Sequence, residues 1–186
     1  MLQLEVAEDY SVASKDALKG VQVRNTAKSG QLTLQSPYVC QTIDVFVDLV
    51  LRNPQRSVSL YYLTTSDIAT ERELIHRVAG GAGLAYWRRA AAGAEVGPLR
   101  ARIMSLKLAD ATAAYLDALS DDHFRTEFLQ RIYWHCSAPD LSEVRSELEA
   151  GLIEYASTAR SLSSQTARGL MPLVIERVFM TAVSKG

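Results

Sequence analysis

The chain opens on an alternation. In LQLEV, Leu2, Leu4 and Val6 fall on one side of an extended backbone and Gln3, Glu5 and Ala7 on the other, a period of two that predicts a half-buried β-strand. Continued at the same parity, Asp9 joins Glu5. The stretch SVASKDALKG contains the turn, and ALKGVQVRN returns as a second strand, antiparallel because the connection is too short for a crossover. Val21 and Val23 are expected to bury that strand, which leaves Gln22 and Arg24 on its polar side.

The period then changes. Ser36 is expected to cap a helix with Pro37 at its first position, where a missing N–H costs nothing, and Val39, Ile43, Phe46 and Val50 recur at helical spacing. RNPQ ends it. SVSLYYLTTS, rich in β-branched and aromatic residues, reads as a further strand. Strand, helix, strand in that order implies a right-handed crossover between parallel strands, so the sheet is mixed.

Beyond residue 66 only helices are predicted. Thr70 and Glu73 have capping-box spacing before LIHRV, and GGAG at 80–83 breaks the chain ahead of Tyr86 and Trp87. Leu108, Thr112, Tyr115 and Leu119 make one helical face, and Phe124, Phe128 and Ile132 the next. Asp140 and Glu143 form another capping-box spacing, opening a helix whose Leu141, Val144, Leu148, Leu152 and Tyr155 make an apolar stripe. A last helix lies near LMPLVIERVFMTAV, after STARSLSSQTARG, the one linker-like stretch. The expected fold is α+β: a small mixed β-sheet with a crossover helix, followed by an all-helical C-terminal region. The expected division is 1–80 and 81–186, the second part a connector or interaction module.

Composition adds bounds. A chain of 186 residues, 48% of them apolar, can bury a sizeable core. No window approaches the ~20 apolar residues of a spanning helix, so no membrane partner is expected and the expected location is cytoplasmic. The two cysteines, Cys40 and Cys136, read as reduced thiols in apolar surroundings. His135 beside Cys136 lacks the spacing of a zinc site. A net charge of -1 does not announce a nucleic-acid binder, although bases outnumber acids between residues 72 and 107 and the reverse holds from Asp117 to Glu154.

The hairpin carries the chemistry. If its register brings the polar faces together, Glu5, Asp9, Gln22 and Arg24 converge, and carboxylate oxygens beside a cation are a means of holding Mg²⁺ and a phosphate. An acid near the end of one strand followed by a strand carrying (D/E/Q)xK is the core of the PD-(D/E)xK restriction-endonuclease-like family. LEVAEDYSV resembles its acidic strand and GVQVRNTAKSGQLTL its QxK strand, in the Gln-bearing branch that supplies nuclease domains to prokaryotic anti-phage defence proteins. LYYLTTSDIATERE is similar to the elements that come next in that branch.

The resemblance implies Asp9 as metal-binding acid, Gln22 as second metal or water contact, and Arg24 in the lysine place, with Glu5 or Glu8 supplementing the acid. It implies Mg²⁺ or Mn²⁺ as cofactor and double-stranded DNA as substrate. Arg24 departs from the pattern, since a guanidinium forks onto phosphate but does not act as a base. The chain also starts on the strand where the family begins with a helix, which implies an uncovered sheet face and a homo-oligomer or a larger partner protein. Lys28, Arg88 and Arg89 are the candidate contacts to nucleic acid. Two alternatives stand beside cleavage: a non-catalytic assembly or DNA-binding subunit that keeps the nuclease-like sheet, and a helical interaction protein on which the hairpin is decoration.

Overall fold

The computed structural model describes the backbone of residues 2–5, 9–24, 30–139, 141–160 and 163–184. Strands β1 (Leu2–Glu5), β2 (Asp9–Ala13) and β3 (Ala17–Arg24) come first, then the short β4 (Gln31–Leu32), helix α1 (Pro37–Arg52), β5 (Ser57–Thr64) and the short β6 (Asp67–Ile68). Helices α2 (Gly83–Ala91), α3 (Gly97–Met104) and α4 (Asp110–Ala118) follow. A short α5 (Asp121–His123) runs into a π-helical turn at Phe124–Phe128, and β7 (Ile132–His135) precedes the long helices α6 (Leu141–Arg160) and α7 (Ser164–Ser184).

Among the described residues five strands form one sheet in the order β1-β2-β3-β5-β7, and β4 pairs with β6 in a second. Strand β2 is antiparallel to β3, whereas β3, β5 and β7 are mutually parallel, so the sheet is mixed, as the short hairpin connection and the crossover helix imply. The β2–β3 turn is held by Ser14, whose N–H donates to the Ala17 carbonyl at 2.8 Å while its Oγ accepts from the Ala17 N–H at 3.1 Å.

Helix α1 is the element whose pattern is clearest in both sequence and structure. Pro37 opens it, and Val39, Ile43, Phe46 and Val47 are buried. Ser36 does not cap it with its side chain; its Oγ turns back to accept from the Thr33 N–H at 3.0 Å. Because β3, β5 and β7 step across the sheet in one direction, right-handed crossovers place both connecting layers on the same face. Burial agrees: Leu18, Gly20 and Gln22 of β3, Val58, Leu60, Tyr62 and Thr64 of β5, and Ile132 and Trp134 of β7 are buried. On the alternate face Lys19, Val23, Tyr133 and His135 are exposed.

That pattern reverses the expectation for β3. Gln22 is buried at 4% exposure and Arg24 is half-buried, whereas Val23 is 39% exposed. Leu18 and Gly20 set the inner face, because a side chain at residue 20 would stand 2.8 Å from Leu60 Cδ1. The close approach of β5 and α1 therefore fixes which parity faces in.

The region after residue 66 is not purely helical. Ile132 belongs to β7 and not to the helical face of Phe124 and Phe128, although both phenylalanines are buried in the core. The Thr70–Glu73 spacing opens no α-helix; a single 3-10 turn at Leu74–His76 follows, without a side-chain cap. Val78 and Gly81 exchange two 3.1 Å hydrogen bonds around Ala79 (φ 48°) and Gly80 (φ 78°), so the first part of GGAG is a tight turn. STARSLSSQTARG is helical over most of its length, in α6 and α7.

The chain divides into two compact units: Leu4–Ala138, and a second formed by Met1–Gln3 with Pro139–Gly186. The division thus falls near residue 138, not at 80, because Trp87, Leu99, Ile103, Leu116 and Phe128 share one core with the sheet strands. In the second unit α6 and α7 pack on each other, with Ala156, Ala167 and Met171 buried. Val144, Leu148 and Tyr155 of the predicted α6 stripe are exposed rather than buried, and Asp140 lies outside the described residues.

Candidate functional site

The carboxyl ends of parallel strands are where open α/β sheets present polar side chains to ligands. Here those ends carry Gln22 and Arg24 on β3 and Tyr62 and Thr64 on β5. The register aligns them: Asp9 stands opposite Gln22, Gln22 opposite Tyr62, and Tyr62 opposite Trp134. Opposed residues share a sheet face, so these four positions form one row. Arg24 lies two residues beyond Gln22 on the same face, opposite Thr64.

Helix α1 lies against Gln22 and Arg24 of this row and its continuation. Gln22 Oε1 accepts from Thr42 Oγ1 at 3.0 Å, and the same hydroxyl reaches the Tyr38 carbonyl at 2.7 Å, so its single hydrogen is shared between two acceptors. The Arg24 guanidinium lies 5.6 Å from the centre of the Tyr38 ring, a cation–π distance. Burial pushes the Tyr62 phenol up to about 12; the positive charge of Arg24 opposes that shift, while Cys136 and Tyr38 add to it. Tyr62 is therefore a neutral hydroxyl at any physiological pH.

At the end of β5, Thr64 Oγ1 accepts from the Ser66 N–H at 3.1 Å, and the carbonyls of Thr64 and Ser66 accept from Ala138 and Ser137. Both cysteines are free and half-buried. Burial, with the nearby negative charge of Asp44, raises the Cys40 thiol. Burial also raises that of Cys136, with Arg88 opposing and Asp67 adding. Neither has the depressed pKa of a nucleophilic cysteine.

The hairpin register sets the backbone of Asp9 across from Gln22, with Arg24 two residues farther along β3. Glu5 lies on β1; its side chain, that of Asp9, and the whole of Glu8 and Lys28 are outside the described residues. Among the described residues no three His, Cys, Asp or Glu side chains group to hold a metal ion. Arg88 and Arg89 are both exposed, and each has a structural contact: Arg88 Nη2 donates to the Trp134 carbonyl at 2.5 Å, and Arg89 lies 4.9 Å over the Tyr86 ring.

The residues that pattern reading passed over are Tyr38, Thr42 and Tyr62. Thr42 interrupts the apolar stripe of α1 between Val39 and Ile43, and a polar residue on a buried stripe is the one signal that pointed to a partner across the interface. No helix among the described residues is long and apolar enough to cross a membrane. No protein-family model, curated protein or solved structure matches the chain.

Proposed function

We propose that the chain is a nuclease-like module of a prokaryotic defence protein, cleaving DNA phosphodiesters with Mg²⁺ or Mn²⁺ at the Asp9, Gln22 and Arg24 corner. The observation that carries this reading is the ladder register, which sets Asp9 directly across from Gln22 with Arg24 two residues on along the same face. Mg²⁺ takes only one or two carboxylates and keeps several waters, a demand that Asp9 and the Gln22 amide oxygen fit. Thr42 occupies one lone pair of Gln22 Oε1 and leaves the other. The ion, when bound, would polarise the phosphate and lower the pKa of a water. Arg24, always cationic and placed over the Tyr38 ring, holds a phosphate oxygen through its forked N–H groups and accepts no proton. Glu5 is the reserve acid on the neighbouring part of the chain.

A second reading, a non-catalytic assembly or DNA-binding subunit with the same sheet, is favoured by two specific observations. Gln22 is already engaged by Thr42 inside the protein. Val23 and Tyr133 on the sheet face turned away from α1, and Val144, Leu148 and Tyr155 on α6, are exposed apolar side chains of the kind that a partner or a second copy covers.

The test is cleavage of plasmid and linear duplex by the purified chain with Mg²⁺ or Mn²⁺ against EDTA, beside Asp9→Ala and Arg24→Ala, with mass by light scattering. Metal-dependent cutting that falls roughly 10²-fold or more in Asp9→Ala supports catalysis. A folded oligomer that cuts nothing under any of these conditions supports the assembly reading instead.

A further inference from the structure

Strand β7, the last in the sheet order, borders a cleft of about 830 Å³ whose lining includes Trp87, Arg88, Ala92, Arg131, Tyr133 and Trp134. That volume lies within the ~300–1,000 Å³ of small-molecule sites. The charge in it has one sign: Arg88 and Arg131 line it, and among the described residues no Asp or Glu does. Arg88 engages one nitrogen with the Trp134 carbonyl, and Arg131 engages Nη1 with Ser57 Oγ at 2.9 Å. Each guanidinium carries five N–H donors, so most of each fork remains for an anion.

The apolar part of the wall is aromatic. Trp87 and Trp134 meet edge to face at 5.4 Å and form a buried floor. Tyr133 is 40% exposed and is backed by Tyr61, with ring centres 4.6 Å apart and planes 10° apart. A ring already stacked on one side presents a fixed flat surface on the other, the arrangement on which nucleobases stack. An extended peptide added to the sheet edge is disfavoured, because the Trp134 carbonyl that it would pair with is already taken by Arg88.

We infer that this cleft binds a 5′-phosphorylated nucleoside, its phosphate on the Arg88 and Arg131 forks and its base on the Tyr133 ring. The inference does not depend on cleavage at Asp9. The ligand is either a free mononucleotide or the phosphorylated end of a strand, since both present the same chemistry.

The chain has two tryptophans, and both line this cleft, so indole fluorescence reports it directly. The experiment titrates AMP, GMP, CMP and UMP, a 5′-phosphorylated tetranucleotide, adenosine and inorganic phosphate into the full chain, by fluorescence and calorimetry. Ala92→Glu, an exposed substitution in the cleft wall that removes no contact of either arginine, adds a repelling charge, and Ala92→Gln is its neutral control. The expected result is saturable binding of the phosphorylated nucleosides, tighter than adenosine or phosphate, weakened roughly tenfold or more in Ala92→Glu and unchanged in Ala92→Gln. Whichever of mononucleotide and tetranucleotide binds tighter assigns the source. No saturable binding at millimolar nucleotide, equal binding of inorganic phosphate, or equal affinity in the two Ala92 variants would overturn the inference.

Discussion

Both carboxylate oxygens of Glu71 accept the amide N–H of Gly83, at 3.2 and 3.0 Å, and one of them also accepts that of Leu34 at 3.0 Å. Gly83 is the first residue of α2, so the charge sits where the helix leaves its amides unpaired and its dipole is positive. The Glu71 carbonyl in turn accepts from Arg77 Nε at 2.9 Å. One acid thus ties the loop after β6 to the start of α2 and to the segment before α1, on the scaffold that carries both the sheet corner and the β7 cleft.

Replacing Glu71 with Ala strands two buried amides. The expected loss is about 2–4 kcal/mol of unfolding free energy, with Glu71→Gln retaining part of it because one oxygen remains. Urea denaturation of the three proteins checks the order wild type, Gln, Ala.

Gly83→Ala decides between two opposed effects. Helix propensity favours Ala by at most about 1 kcal/mol, the helix-interior value, and by less at this first helical position. The added Cβ, however, would stand 2.7 Å from Leu34 Cβ and 2.8 Å from Glu71 Oε1, neither of which can swing away from its buried place. The clash is the larger effect, and a net destabilisation of about 1–3 kcal/mol is expected in thermal unfolding. A stabilised variant would mean that α2 can shift on Leu34.

Thr42→Val keeps the shape of the side chain and removes the hydroxyl that Gln22 Oε1 accepts from. The buried amide oxygen is left short of a partner, at a cost of about 1–2 kcal/mol. Under the catalytic reading the same change leaves the oxygen available at the corner, so metal-dependent cleavage persists while stability falls. Parallel loss of both, beyond what the unfolded fraction explains, would make the Thr42–Gln22 bond part of the working site.

Tyr62 gives stability an alkaline limb. Its phenol is pushed up to about 12 in the fold from an ordinary value of 10, so the unfolded chain gives up that proton first. The contribution is complete below pH 10 and is lost as pH rises through about 12. Unfolding followed from pH 9 to 12 should show this fall in the wild type and a shallower one in Tyr62→Phe.

Much of the scaffold was legible because it rests on local regularity. The β2–β3 turn, the Pro37 start and apolar stripe of α1, and the β-branched run of β5 are each specified by residues a few positions apart. β7 was not, since IYWH is four residues long and its Ile132 continues the helical spacing of Phe124 and Phe128. A segment so short takes its conformation from β5, whose Leu60 to Leu63 it pairs with residue by residue.

For the candidate site, sequence by itself determined that Gln22 and Arg24 share a face and that a short turn brings a strand bearing Asp9 back across them. It did not determine which face. Period-two alternation defines two sides of a strand without saying which is inside, and Val21 and Val23 pointed to the wrong one. That choice was made by the neighbours: Leu60 packs against Gly20, and Thr42 on α1 meets Gln22. The roles of Glu71 and of the β7 cleft were decided the same way, because a lone acid or a pair of arginines acquires its partners only when elements distant in sequence are brought together.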